Sequence, residues 1–164
     1  MVDILQGLCF GDEAKAKMVD VISKRYDIIA RFNGGSNSGH TICFGDKKYI
    51  LNLLPAGVFN ENTYNLIGNG CVIDPIRLKA EIENLDVDID GRLLISRRAH
   101  LTLPTHILLD EYYENQKGDK KIGSTKRGIG PTYTDKTSRQ GLRIGDIESN
   151  EFKKKYEELK NKHY

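Results

Sequence analysis

Residues 11–17, Gly11-Asp12-Glu13-Ala14-Lys15-Ala16-Lys17, put two carboxylates and two lysines directly behind a glycine-punctuated turn. An apolar run, residues 2–5, precedes the turn and reads as a buried strand; Met18, Val19 and Ile22 continue it as a helical stripe. A turn between a strand and a helix offers free backbone N–H groups and a favourable dipole to an anion, with a lysine beside it. The GxxxxGK[ST] spacing is absent, so this is not a Walker A loop. Asp12 in such a place serves as a ligand for magnesium or as a base toward a bound substrate. The competing reading is an amphipathic helix with solvated charges. Taken alone, the motif favours that second reading slightly.

A second group, Asn33-Gly34-Gly35-Ser36-Asn37-Ser38-Gly39-His40-Thr41, follows another apolar run at residues 26–32. Its glycines let a backbone approach an anion closely, and His40 is suited to act as an acid near a phosphate. In a parallel sheet both turns fall at the carboxyl edge, where ligands bind. A third stretch, Gly123-Ser124-Thr125-Lys126-Arg127-Gly128, continues through Lys136, Arg139 and Arg143. It mixes hydroxyls, backbone amides and cations, as phosphate monoester recognition requires. By composition alone it reads more readily as a solvated surface loop.

The elements that must carry these groups are legible in outline. Strand, glycine turn, helix, strand over residues 2–32 is the βαβ unit of a parallel sheet. Residues 40–44 and 49–54, joined through Gly45-Asp46, predict a hairpin. Short strands are expected at residues 64–67, 71–73 and 93–95. Asp74-Pro75 predicts a helix start, with Leu78, Ile82 and Leu85 on its apolar face. A helix is expected over residues 104–116 and an amphipathic one over 149–162, with Phe152, Tyr156 and Leu159 on one side. Residues 117–145 have little apolar content and predict either a functional loop or disorder.

The chain has 164 residues with 38% hydrophobic and 29% charged, enough for one modest domain. Twenty-five basic against 23 acidic residues leave a net charge of +2, which argues against nucleic-acid or membrane-surface partners. Cys9, Cys43 and Cys71 show no CxxC spacing and are expected to be small buried hydrophobes, not a disulfide framework or zinc site. With no signal-peptide pattern and no run long enough to span a bilayer, the sequence predicts a cytoplasmic protein.

In order, the segments GDEAKAK, GGSNSGHT, LNLLPAG, IGNGCVIDP, LLISRRAHL, GSTKRGIGP and DKTSRQGLRIGDI resemble the signatures of the adenylosuccinate synthetases. The resemblance covers essentially the whole chain and identifies residues 1–164 as an N-terminal part of that family's domain. It implies an α/β fold: a P-loop-NTPase-like, mainly parallel sheet with flanking helices, incomplete relative to the family. It also implies the family's reaction, the GTP-dependent joining of L-aspartate to inosine monophosphate (IMP), with Mg²⁺ as cofactor, in a homodimer.

Carried onto matching positions, Asp12 and His40 would be catalytic: Asp12 takes a proton from the purine and His40 helps GDP leave. GTP would meet Gly11, Asp12, Glu13, Ala14, Lys15, Ala16, Lys17, Gly39, His40 and Thr41. IMP would meet Asp12, Glu13, Ala14, Lys15, Asn37, Ser38, Gly39, His40 and Thr125. Arg139 would reach the IMP of the other subunit. The metal would be held by Asp12 and the Gly39 carbonyl. Viral relatives act on a deoxyguanine nucleotide and replace the aspartate that this sequence keeps as Asp12.

The sequence departs from the pattern at Ala14 and Ala16, where the family has glycine, and at Lys126, also a glycine in the family. It is also much shorter than the family's members, so its sheet is expected to lose strands and leave an apolar face uncovered. Two functions therefore stand beside each other: the ligase, or a nucleotide-binding fragment without turnover that pairs with a full-length homologue.

Overall fold

The computed structural model describes residues 2–9 and 14–164. Its centre is a three-stranded parallel sheet in the order β1 (Ile28–Arg31), β4 (Tyr64–Ile67), β6 (Leu93–Ile95). Between β1 and β4 the chain makes an antiparallel hairpin, β2 (His40–Phe44) and β3 (Lys47–Leu51). A short parallel pair, β5 (Val72–Ile73) and β7 (His100–Leu101), extends the structure beyond the sheet. The helices are α1 (Lys15–Ile22), α2 (Pro75–Glu83), α3 (Pro104–Gln116), α4 (Ile129–Thr137) and α5 (Phe152–His163).

Several expectations hold to within a residue or two, because local chemistry decides them. Asp74 caps α2, its Oδ1 accepting the N–H groups of Ile76 and Arg77 at 3.1 and 3.2 Å, with Pro75 at the first helical position. Leu78 is buried, and Ile82 and Leu85 pack against the same core as Leu51, Leu53, Leu54, Val58, Ile67 and Ile73. Each such fully buried aliphatic side chain contributes roughly 1.5–3 kcal/mol relative to exposure. A second cluster, Leu101, Leu103, Leu142 and Leu159, is covered by Phe152 and Tyr156 of α5.

Four expectations are corrected. Residues 2–5 form no strand: Val2 is 88% and Ile4 75% exposed. Three apolar residues around Asp3 become a buried strand only when layers exist to cover them, and the sheet of the described residues has three strands. The second strand is shorter than residues 26–32 and lies at the sheet's edge. Its Ile28, and Phe32 just past its end, are exposed. Cys71 is buried as expected, but Cys9 and Cys43 are exposed. Residues 117–145, expected as a functional loop or disorder, instead contain α4. That helix hides from apolar patterning because its buried positions are Pro131, Thr132 and Asp135.

One face of the sheet carries exposed large side chains among the described residues. The register pairs Ile28 with Tyr64 and Leu66 with Leu94, so these side chains share one face. Ile28, Tyr64 and Leu94 are at least half exposed there, while Asn65 and Ile67 on the opposite face are buried.

Three helices are tied together by a buried polar clasp. Asp135 of α4 accepts from His106 Nε2 of α3 at 3.0 Å and from His163 Nε2 of α5 at 2.9 Å. The second nitrogen of His163 meets Thr105 Oγ1 at 2.7 Å. The three ligand-type atoms lie within 4.8 Å of one another, close enough to suggest a metal. The tautomer argues against one. The Leu103 N–H donates to His106 Nδ1 at 2.9 Å, so Nε2 must carry the ring's proton and has no lone pair for an ion. Burial lowers the His106 pKa, with the Asp135 hydrogen bond opposing, which keeps that ring neutral.

Candidate functional site

A cavity of about 680 Å³ opens between the start of α1, the end of β1 and the glycine turn that leads into β2. Ala14, Lys15 and Ala16 line it from one side, and Asn37, Ser38, Gly39 and His40 from the other. The structure thus brings the described part of the first sequence group beside the second, at the carboxyl end of β1, where ligands bind in a parallel sheet. Gly11, Asp12 and Glu13 lie outside the described residues. Lys17 and Thr41 are exposed neighbours of the cavity lining.

Two other expected residues do not join it. Thr125 sits on an exposed segment before α4. Arg139, in left-handed conformation at φ 64°, lines a separate cavity of about 450 Å³ beside Arg143, Lys155 and Lys162.

The glycine turn is rigidly framed. Arg31, at the end of β1, donates to the carbonyls of Asn33, Asn52 and Gly35, the last at 2.7 Å. Burial lowers the Arg31 pKa, yet a guanidinium starts so high that it keeps its charge. His40 lies half-buried, and its Nε2 has no hydrogen-bond partner among the described residues. Burial first, and the Arg31 charge second, lower its pKa to about 4, so the ring is neutral at pH 7. Ser36 Oγ is buried in the same turn, also without a partner among the described residues. The far wall, residues 54–56, is fixed by Glu81 of α2, whose carboxylate accepts the Leu53 and Leu54 N–H groups at 2.9–3.1 Å.

The basic stretch before α4 is held from beneath by two acids of α3. Asp110 accepts from Ser124 Oγ at 2.8 Å and from the Gly128 N–H at 2.9 Å. Glu114 accepts from the Gly123 and Ser124 N–H groups and from Lys117. The Lys117 hydrogen bond is the main reason that its carboxyl is lowered to about 2. Sequence reasoning missed Arg31, Glu81, Asp110 and Glu114. The only signal for Arg31 is a charge at the end of an apolar run, and the three acids read as ordinary solvated helix residues.

The structure separates the two alanine departures. Ala14 has φ 55° and ψ 32°, the left-handed region, whereas Ala16 lies within α1 and packs against the core. Lys126 is also left-handed, at φ 51°. A side chain in that region costs roughly 1–2 kcal/mol. Ala14→Gly is therefore expected to stabilise the chain by about 0.5–1 kcal/mol, after the added freedom of the unfolded state is subtracted. Ala16→Gly is expected to destabilise it by a similar amount, since glycine weakens a helix interior. Urea unfolding of both variants checks this; equal signs for the two would contradict the assigned backbone.

A family model described as adenylosuccinate synthetase matches residues 4–164. The chain belongs to the adenylosuccinate synthetase family. It is 56% identical over 165 residues to the adenylosuccinate synthetase of Flavobacterium psychrophilum, and 57% identical over 158 residues to that of Azobacteroides pseudotrichonymphae. Those alignments cover 99% and 94% of this chain but 39% and 37% of the relatives, so the chain spans about two fifths of their length. The fully ligated enzyme from Plasmodium falciparum superposes with a TM-score of 0.88 at 44% identity, over 93% of this chain and 37% of that one. The succinoaminodeoxyadenylate synthetase of cyanophage S-2L shares the fold, with a TM-score of 0.65 at 22% identity, over 84% of this chain and 39% of that one.

Proposed function

We propose that this chain carries the phosphate-handling part of a ligase that uses GTP to join L-aspartate to inosine monophosphate. Adenylosuccinate, GDP and phosphate are the products. One observation carries the reading: residues 14–16 and 37–40, matched to the family's nucleotide-contacting segments, meet across one cavity, and His40 Nε2 there is buried without a hydrogen-bond partner among the described residues. A phosphate oxygen beside that nitrogen would supply the missing bond. Its negative charge would also favour the protonated ring against burial, equipping His40 to act as an acid on the departing GDP.

Asp12 takes the proton from the purine, which makes the oxygen at C6 the nucleophile toward the γ-phosphoryl group. Aspartate's amine then displaces that phosphate. Lys15 and the turn amides hold phosphate oxygens, while Asn37, Ser38 and Thr125 lie along inosine monophosphate. The Asp12 carboxylate and the Gly39 carbonyl are hard oxygen donors, the kind Mg²⁺ takes, and Gly39 lines the cavity. Bound there, Mg²⁺ would neutralise phosphoryl charge. The homodimer rests on the family resemblance of Arg139, which lies apart from the first cavity and would serve the neighbouring subunit. No described helix is long and apolar enough to cross a membrane, which fits the cytoplasmic setting.

The second reading is a nucleotide-binding fragment without turnover. Phosphate release with GTP, inosine monophosphate, aspartate and Mg²⁺, each omitted in turn, separates the two. Release that needs all four supports the ligase, with Asp12→Ala expected to abolish it. Release that persists in Asp12→Ala contradicts the assignment, and no release with retained GTP binding supports the fragment.

A further inference from the structure

Helix α4 lies against the glycine turn through contacts that neither the proposed chemistry nor the sequence pattern uses. Tyr133 is the centre of them. Its hydroxyl accepts the Gly34 N–H at 2.9 Å and donates to the Gly70 carbonyl at 2.9 Å. One phenol thus bridges the turn after β1 and the turn after β4. A turn earlier on the helix, Ile129 approaches Gly35 so closely that a Cβ there would lie 2.5 Å from its Cδ1. A turn later, Lys136 Nζ donates to the Asn69 carbonyl at 2.7 Å.

We propose that Tyr133 is a positioning residue that sets the glycine turn, and with it Asn37 to His40, over the cavity. The turn is thereby clamped from two sides, by Arg31 beneath and by Tyr133 across it. Because α4 directly follows the segment that carries Thr125 and Lys126, the same helix joins that segment to the His40 turn. The inference rests on the reading of the cavity as a nucleotide-phosphate site, and its test has a readout that does not.

The full chain and its Tyr133→Phe variant are titrated with Mg²⁺-GTP by calorimetry, at a temperature where both are folded. Amide resonances of residues 34–40 and of β4 are recorded alongside. Losing one hydrogen bond to each turn is expected to weaken GTP binding about 3- to 10-fold, with an unchanged circular dichroism spectrum. The residue 34–40 resonances are expected to move while those of β4 stay. Tyr49→Phe removes a hydroxyl that binds Asp86, far from the turn, and is expected to keep the affinity. Unchanged affinity with unmoved turn resonances in Tyr133→Phe overturns the proposal, even if the unfolding midpoint falls. If the chain binds no GTP, the nucleotide reading fails and the resonances alone decide: moved supports positioning, unmoved overturns it. If Tyr133→Phe does not fold, hydrogen exchange of the Gly34 amide in the unsubstituted chain takes its place: protection supports the clamp, and exchange as fast as in an open turn overturns it.

Discussion

Asp135→Ala is expected to lower the unfolding free energy by about 3–5 kcal/mol, the range for removing one partner of a buried polar cluster. Its side chain is 12% exposed, and its carboxylate is the acceptor for two imidazoles. His106 cannot find another partner by changing tautomer, because its Nδ1 is committed to the Leu103 N–H. Its Nε2–H would be left buried with nothing to donate to, in a residue that is 0% exposed. The loss should appear as a shift of the urea midpoint, accompanied by weaker packing of α3, α4 and α5. A change below about 1 kcal/mol would mean that water enters and replaces the carboxylate.

Gly70→Ala is expected to be as damaging for a different reason. A Cβ built there lies 2.0 Å from the Phe32 carbonyl oxygen and 3.2 Å from its carbon, both backbone atoms. No rotamer change relieves a clash with backbone, so the end of β1 or the turn after β4 must shift. The expected cost is about 3 kcal/mol or more, at the upper end of overpacking effects. The useful contrast is Gly130→Ala. Gly130 is inside α4, and a Cβ there meets nothing within 4 Å. Alanine should stabilise that helix by roughly 0.5–1 kcal/mol. Thermal unfolding of the two variants should therefore move in opposite directions, and a tolerated Gly70→Ala would show that the two turns are not in close contact.

Where the sequence was legible, the cause was local. The hairpin of β2 and β3, the Asp74 cap and the limits of β4, β6 and α3 follow from turn residues, capping and apolar runs within a few positions. The grouping of residues 14–16 with 37–40 was also expected, but for a reason that holds only in half: residues 37–40 follow a strand, β1, whereas residues 14–16 follow none and reach the cavity through the packing of α1 on the core. What was hidden depends on distant partners. Residues 2–5 have a strand's composition, yet composition does not supply the layers that would bury them. Helix α4 lacks an apolar stripe, since its inward side chains are Thr132 and Asp135, which read as surface residues until His106 and His163 are seen beside them. The left-handed backbone at Ala14 and Lys126 was visible only as a departure from glycine; the angle itself required the structure.

The clasp and the Tyr133 bridge share one helix, and that has a consequence for which motions occur together. Asp135 fastens α4 to α3 and α5, while two residues earlier on the same helix Tyr133 covers the Gly34 N–H. Partial opening in proteins proceeds by cooperative units rather than by single residues. A fluctuation that detaches α4 from its neighbours uncovers the Gly34 amide, although that residue is about a hundred positions away in the chain. The exchange of that one proton with solvent is thus governed by the imidazole–carboxylate contacts of the helical end, and the lifetime of the closed glycine turn is set by residues that do not line the cavity.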